Sequence, residues 1–142
     1  MYSFLQPLHS YLAWLLLITI ALTLVLALLG KYRPVNHAQM AFRTAKVAFI
    51  FSHIQLLMGT LFYFVSPLGL SNLSGATMSD SLGRLVAVEH PLTNILAIVL
   101  ITIGYAKMKK SVGQDGTKVV LIYYGIGLLL LLSRIPYQNW LS

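Results

Sequence analysis

The sequence predicts an all-α integral membrane protein: one four-helix bundle, threaded up-down-up-down, with both termini on the outer, periplasmic side. Three observations lead there. Of 142 residues, 58% are apolar and 9% charged, a balance typical of bilayer-embedded chains and not of soluble domains. Apolar runs of near-spanning length recur four times. The basic residues gather between particular runs instead of dispersing over a surface.

The runs cover residues 11–29, 47–65, 85–106 and 119–132. The first three approach the roughly 20 residues that a helix needs to cross about 30 Å of hydrocarbon. The fourth is short, but Thr117 and Lys118 precede it, and the stretch after it ends in Tyr137 and Trp140, side chains suited to the headgroup level. Expected helices therefore run over about 4–30, 40–66, 81–110 and 116–134, in a single domain of residues 1–142. Strands are excluded because an unpaired edge is not tolerated in lipid. MYSFLQPLHS carries no Lys or Arg and no small-residue cleavage pattern follows it, so the first helix is expected to stay in the protein. No internal repeat or low-complexity linker divides the chain.

The formal charge is +7, and its placement decides its meaning. Lys31, Arg33, Arg43 and Lys46 fall between the first two runs; Lys107, Lys109, Lys110 and Lys118 fall between the last two. By the positive-inside rule that side is the cytoplasm. Contact with anionic lipid is compatible with this. Nucleic-acid binding is excluded, because no aromatic-basic reading surface accompanies the charge.

This threading puts the starts of helices one and three on one side, so His9 and His90 share a level, with Arg84 and Arg134 in the same outer layer. Gly59 and Gly127 each lie seven residues before an outer helix end, at Ser66 and Arg134, a depth of roughly 10 Å. Two imidazoles and two glycines thus converge on one slab, which suits a flat ligand with nitrogen atoms on opposite faces and backbone close to the ring. Heme is the candidate, with His9 and His90 as its metal ligands. With no cysteine there is no CxxCH attachment, so the heme would be non-covalent, b-type and bis-His. Arg84 and Arg134 could meet its propionates. One Glu and two Asp are too few for a zinc or di-iron carboxylate site.

The other polar residues have structural readings beside functional ones. His9 near the interface could be a hydrogen-bonded anchor. Glu89 points about 100° away from His90 and is expected to pair with Arg84 or Arg134, with proton relay the alternative. Pro91 removes a backbone donor and can kink helix three, or is simply a tolerated membrane-helix proline. His53 lies roughly 20 Å below the outer end of its helix, too deep to share an iron with the others. Hydrogen bonding to Tyr123, Tyr124 or Thr102, or a place in a quinone or proton site, suits it better. Ser52, Gln55, Gly59, Tyr63 and Ser66 form a small and polar stripe, which reads either as packing or as part of a site that includes His53, Gln55 and Glu89. His37 is read as solvated.

LHSYLAWLLL, HIQLLMGTLFYF and VEHPLTNILAIVLITIGYAK resemble the three characteristic segments of small bacterial four-helix membrane proteins of the cytochrome b-like family. More distantly, they are similar to one half of heme A synthase. The resemblance spans His9 to about Lys107 and implies His9 and His90 as axial ligands, with the Gln55 to Gly59 segment, QLLMG, standing for a QxLLG-like turn. The chain departs from the synthase in having one four-helix half, Leu5 and Gln6 near the place of a Glu one turn before the first His, and no cysteine pair. These departures argue against oxygenating chemistry and leave heme binding.

The implied function is one-electron transfer between a quinol or neighbouring redox subunit and an outer-side acceptor, without catalytic residues of its own. A quinone is a second candidate ligand, and other membrane redox subunits or a homodimer partner are candidate partners beside the lipid bilayer. The rival reading is a heme-free accessory subunit of a respiratory or transport complex, suggested by the thin loops and by Leu-rich stretches such as LLLLL at 128–132. A small carrier or channel is disfavoured by the scarcity of polar interior residues.

Overall fold

The computed structural model describes residues 1–32, 34–111 and 114–140. Two long helices come first, α1 (Tyr2–Tyr32) and α2 (Pro34–Val65). A cap follows, made of a 3₁₀ turn (Leu70–Asn72), α3 (Gly75–Ser79) and α4 (Ser81–Arg84). One wide π turn (Leu85–Glu89) leads into α5 (His90–Lys110). Then come α6 (Gln114–Ser133) and a closing turn of helix, α7 (Tyr137–Trp140). No strand occurs among the described residues.

Four stretches are long and apolar enough to cross a membrane: Tyr2–Tyr32, His37–Val65, Ser81–Lys110 and Asp115–Ser133. Their outward faces carry exposed side chains such as Ile18, Leu22 and Val25 on α1 and Leu92, Leu96 and Val99 on α5. A helix that is apolar on its outside as well as its inside belongs in lipid, so the chain has the character of a multi-pass membrane protein. Arg43 and Lys46 stand on α2 and not in a loop, because that helix starts at Pro34, a residue suited to a first turn. Arg33, counted with the basic loop, lies outside the described residues.

Helix boundaries follow local chemistry. α2 stops at Val65 because Pro67 disfavours helical backbone at the residue before it. In the cap, the Ser74 hydroxyl accepts from the Thr77 N–H and the Asp80 carboxylate from the Gly83 N–H, each closing a short helix start. α6 ends ahead of Pro136, and the chain turns back so that Trp140 stacks on Trp14 of α1, ring centres 4.7 Å apart. The stretch after Ser133 therefore does not lengthen the fourth helix: it folds over the bundle.

The inward face of α2 runs through Ala41, Ala45, Ala48, Ser52, Gln55 and Gly59, steps of three and four residues that hold one side of a helix. Its lower, alanine half packs tightly with α1, which meets it antiparallel: Gly30 lies against Ala38 at one end and Tyr2 stacks on Phe62 at the other. The core there is closed by Ile20, Ile101, Val120 and Tyr124, all buried. The Tyr124 hydroxyl donates to the Ala45 carbonyl at 2.7 Å, tying α6 to α2. Tyr124→Phe is expected to lower stability by about 1 kcal/mol, measured by denaturant unfolding in detergent micelles.

Candidate functional site

Above that closed half the helices part around a cavity of about 590 Å³, lined on several helices by residues that include His9, Gln55, Gly59, His90, Asn94 and Leu131. Its volume falls within the range of small-molecule and cofactor sites. Leu68, Gly69 and Leu73 from the cap and Pro136, Asn139 and Trp140 from the C-terminal turn also line it.

His9 and His90 face each other across this space. Their ring centres are 6.3 Å apart and the ring planes lie at 81°. Each imidazole is held from behind. His90 Nδ1 lies 2.8 Å from the Arg134 carbonyl; a carbonyl only accepts, so Nδ1 carries the hydrogen and Nε2 keeps a lone pair. Asn94, one turn on, donates from its amide nitrogen to the His90 carbonyl at 2.7 Å. His9 stacks on Phe62, ring centres 5.7 Å apart. The Gln55 amide nitrogen donates to the His9 carbonyl at 3.0 Å and stands 3.1 Å from His9 Nδ1. Gln55 Oε1 is buried and has no hydrogen-bond partner among the described residues.

The wide turn and Pro91 explain how His90 is aimed. Pro91 has no N–H, so the Ala87 carbonyl one turn earlier loses its usual helical donor. The Tyr63 hydroxyl of α2 supplies the missing hydrogen at 2.9 Å. The His90 N–H reaches back five residues to the Leu85 carbonyl, the pattern of a π turn. The sequence reads Pro91 either as a kink or as a tolerated membrane-helix proline; what accompanies it is a π turn and a bond from another helix. Nothing in the local sequence signals Tyr63 as its partner, because the contact joins residues 24 positions apart. Tyr63→Phe should speed amide exchange over residues 85–95 by about tenfold, read by hydrogen–deuterium exchange.

Glu89 sits between two guanidiniums. Arg84 Nε is 2.9 Å from one carboxylate oxygen and Arg134 Nε 3.2 Å from the other, while Arg84 also donates to the Met78 carbonyl. The expected pairing with one arginine is a clamp on both, joining the cap to the end of α6. Neither arginine is among the cavity-lining residues.

The two glycines part company. A methyl group on Gly59 would stand 3.2 Å from His9 Cε1, so this glycine makes room for the histidine ring. Gly127 does not reach the cavity: it packs on the Ile101 side chain and near the Ala97 carbonyl. The cause is a difference in level. The third apolar run begins at Leu85, five residues before His90, yet His90 stands opposite Arg134, the outer end of the fourth helix. Seven residues further down α6, Gly127 lies roughly 10 Å deeper.

His53 is exposed on the outside of the bundle, with Nδ1 2.8 Å from the Phe49 carbonyl and Nε2 3.4 Å from the Thr102 hydroxyl. Of its three expected partners only Thr102 is at hand. Among the described residues, no cluster of three or more His, Cys, Asp or Glu side chains is placed to hold a metal ion. Any metal here would rest on the two facing imidazoles. No protein-family model, curated protein or solved structure matches the chain.

Proposed function

We propose that the chain is a b-type membrane cytochrome of the bacterial inner membrane, its four spans threaded up-down-up-down with both termini periplasmic, that holds heme non-covalently between His9 and His90. The observation that carries this reading is the separation of the two rings. A metal–nitrogen bond of about 2 Å on each side, plus about 1 Å from each nitrogen to its ring centre, spans about 6 Å, and the ring centres stand 6.3 Å apart.

The surroundings fit as well. The Arg134 carbonyl fixes the His90 tautomer that leaves Nε2 free to ligate, the usual arrangement behind a metal-bound imidazole. Behind His9 the Gln55 amide nitrogen donates to the His9 carbonyl and fixes the backbone that carries the ring. The cavity walls are mainly apolar, as a porphyrin face requires. Propionates find one net positive charge beside the cavity, since Arg84 and Arg134 share a single Glu89 carboxylate.

Heme held between His9 and His90 would supply one-electron exchange, and two protein ligands would favour electron transfer over oxygen chemistry. The chain's own residues orient and shield. His9 and His90 ligate, Gln55 and the Arg134 carbonyl hold the imidazoles, and the cap with α7 covers the cavity on its outer side. The electron comes from a quinol or a neighbouring redox subunit and leaves to an outer-side acceptor. The visible spectrum of the purified chain tests the reading. A Soret band with sharp reduced α and β bands is expected; a colourless, folded preparation from heme-replete cells would leave the heme-free accessory subunit.

A further inference from the structure

The geometry points to a second site, on the outward face between α2 and α5, where His53 and Thr102 bind the hydroxyl of a lipid-soluble ring of the quinol class. Along α2 the exposed neighbours of His53 are apolar, Ile50, Ile54 and Leu57. An imidazole on such a face is costly and by default functional.

The hydrogens decide what it can bind. His53 Nδ1 donates to the Phe49 carbonyl at 2.8 Å, which leaves a lone pair on Nε2. The neighbour of Nε2 is the Thr102 oxygen at 3.4 Å. Thr102 directs its one hydrogen to the Ile98 carbonyl at 2.7 Å, a far better bond than one at 3.4 Å. Two acceptors from two helices therefore stand side by side with no hydrogen directed between them. One incoming O–H can supply it, its single hydrogen given to Nε2 and shared with the Thr102 oxygen.

The surroundings favour an aromatic alcohol. The Phe49 ring is 4.4 Å from the imidazole and stacks on Tyr105 at 4.5 Å, giving a ring a surface to lie on. A quinone offers only carbonyl oxygens and would set acceptors against acceptors. The site thus selects the reduced form. It also adjoins the cavity: Leu56 and Ile98, which line the cavity, stand about one turn above His53 and Thr102. Electron donation from this site rests on the cytochrome reading; binding of the hydroxyl does not.

The test uses the full chain in lipid nanodiscs, with ¹⁵N-labelled histidine and a decyl-substituted 1,4-benzohydroquinone as probe. The diol should shift the His53 Nε2 resonance saturably, with the matching quinone and the dimethyl ether of the diol at least about tenfold weaker. Thr102→Val should weaken the response and His9→Ala should leave it intact, while in His53→Phe, where binding is followed on the diol's own ring protons by saturation transfer from the protein, saturable diol binding should be lost. Equal binding of the three probes, or diol binding unchanged in His53→Phe, overturns the proposal. So does loss of binding in His9→Ala, which would put the ring in the cavity. Diol binding by a chain that never takes up heme would refute the cytochrome reading alone, and a heme spectrum without a diol response would refute this one alone.

Discussion

If the chain holds heme as proposed, replacing His90 with alanine is expected to abolish its low-spin spectrum and to lower heme retention by more than the roughly 10–100-fold that loss of a supporting residue costs at a metal site. His90 is the better anchored of the two imidazoles, held by a carbonyl from α6, by Asn94 on its own helix and by the π turn before it. Its loss removes a ligand and leaves the Arg134 carbonyl without that donor. His9→Ala has the same spectroscopic outcome. His53→Ala is the control: its ring lies on the outer face of α2, a turn below the cavity, and the spectrum should persist. Reduced-minus-oxidised spectra of the three variants at matched expression decide the matter. Retention of a wild-type spectrum by either cavity variant would end the bis-His assignment.

The second large effect is expected from Glu89→Gln. One carboxylate separates two guanidiniums that belong to different segments, α4 and the end of α6. Without its charge, Arg84 and Arg134 repel across the gap, and the end of α6 that presents its carbonyl to His90 is no longer held. All three side chains are a third to a half exposed, so solvent screening limits the loss to about 1–2 kcal/mol at low ionic strength, and less in salt. Thermal unfolding in detergent at two salt concentrations measures it. Arg134→Ala makes the informative contrast. It removes the ion pair yet keeps the backbone carbonyl, so the spectrum should survive while stability falls.

Much of the architecture was legible because bilayer helices write themselves into composition. Apolar runs, with lysines between the first and second and between the third and fourth, specify four long helices, and alternate threading brings the starts of the first and third together. What escaped was level and partnership. Residues 66–84 contain no apolar run, yet they fold into a cap, and that shifts α5 relative to α6 enough to bury Gly127 in helix packing instead of the cavity. Glu89 was readable as an ion-pair partner, but not that it serves two arginines. The Tyr63 bond to Ala87 left no trace either, since a freed carbonyl announces itself at Pro91 while its donor can come from any helix passing nearby. The small and polar stripe on α2 divides in two: its alanine continuation is packing, and its upper part borders the cavity.

The π turn has a consequence for insertions and deletions. It accommodates one residue beyond what an ordinary turn would hold, so the segments on either side of it are out of phase by about 100° of rotation. This offset lets the Ala87 carbonyl look inward to Tyr63 while Glu89 looks sideways to Arg134. Removing a single residue from 85–88 would let the helix run on uninterrupted and swing the whole cap around its axis, although no side chain touching the cavity's two imidazoles had been altered.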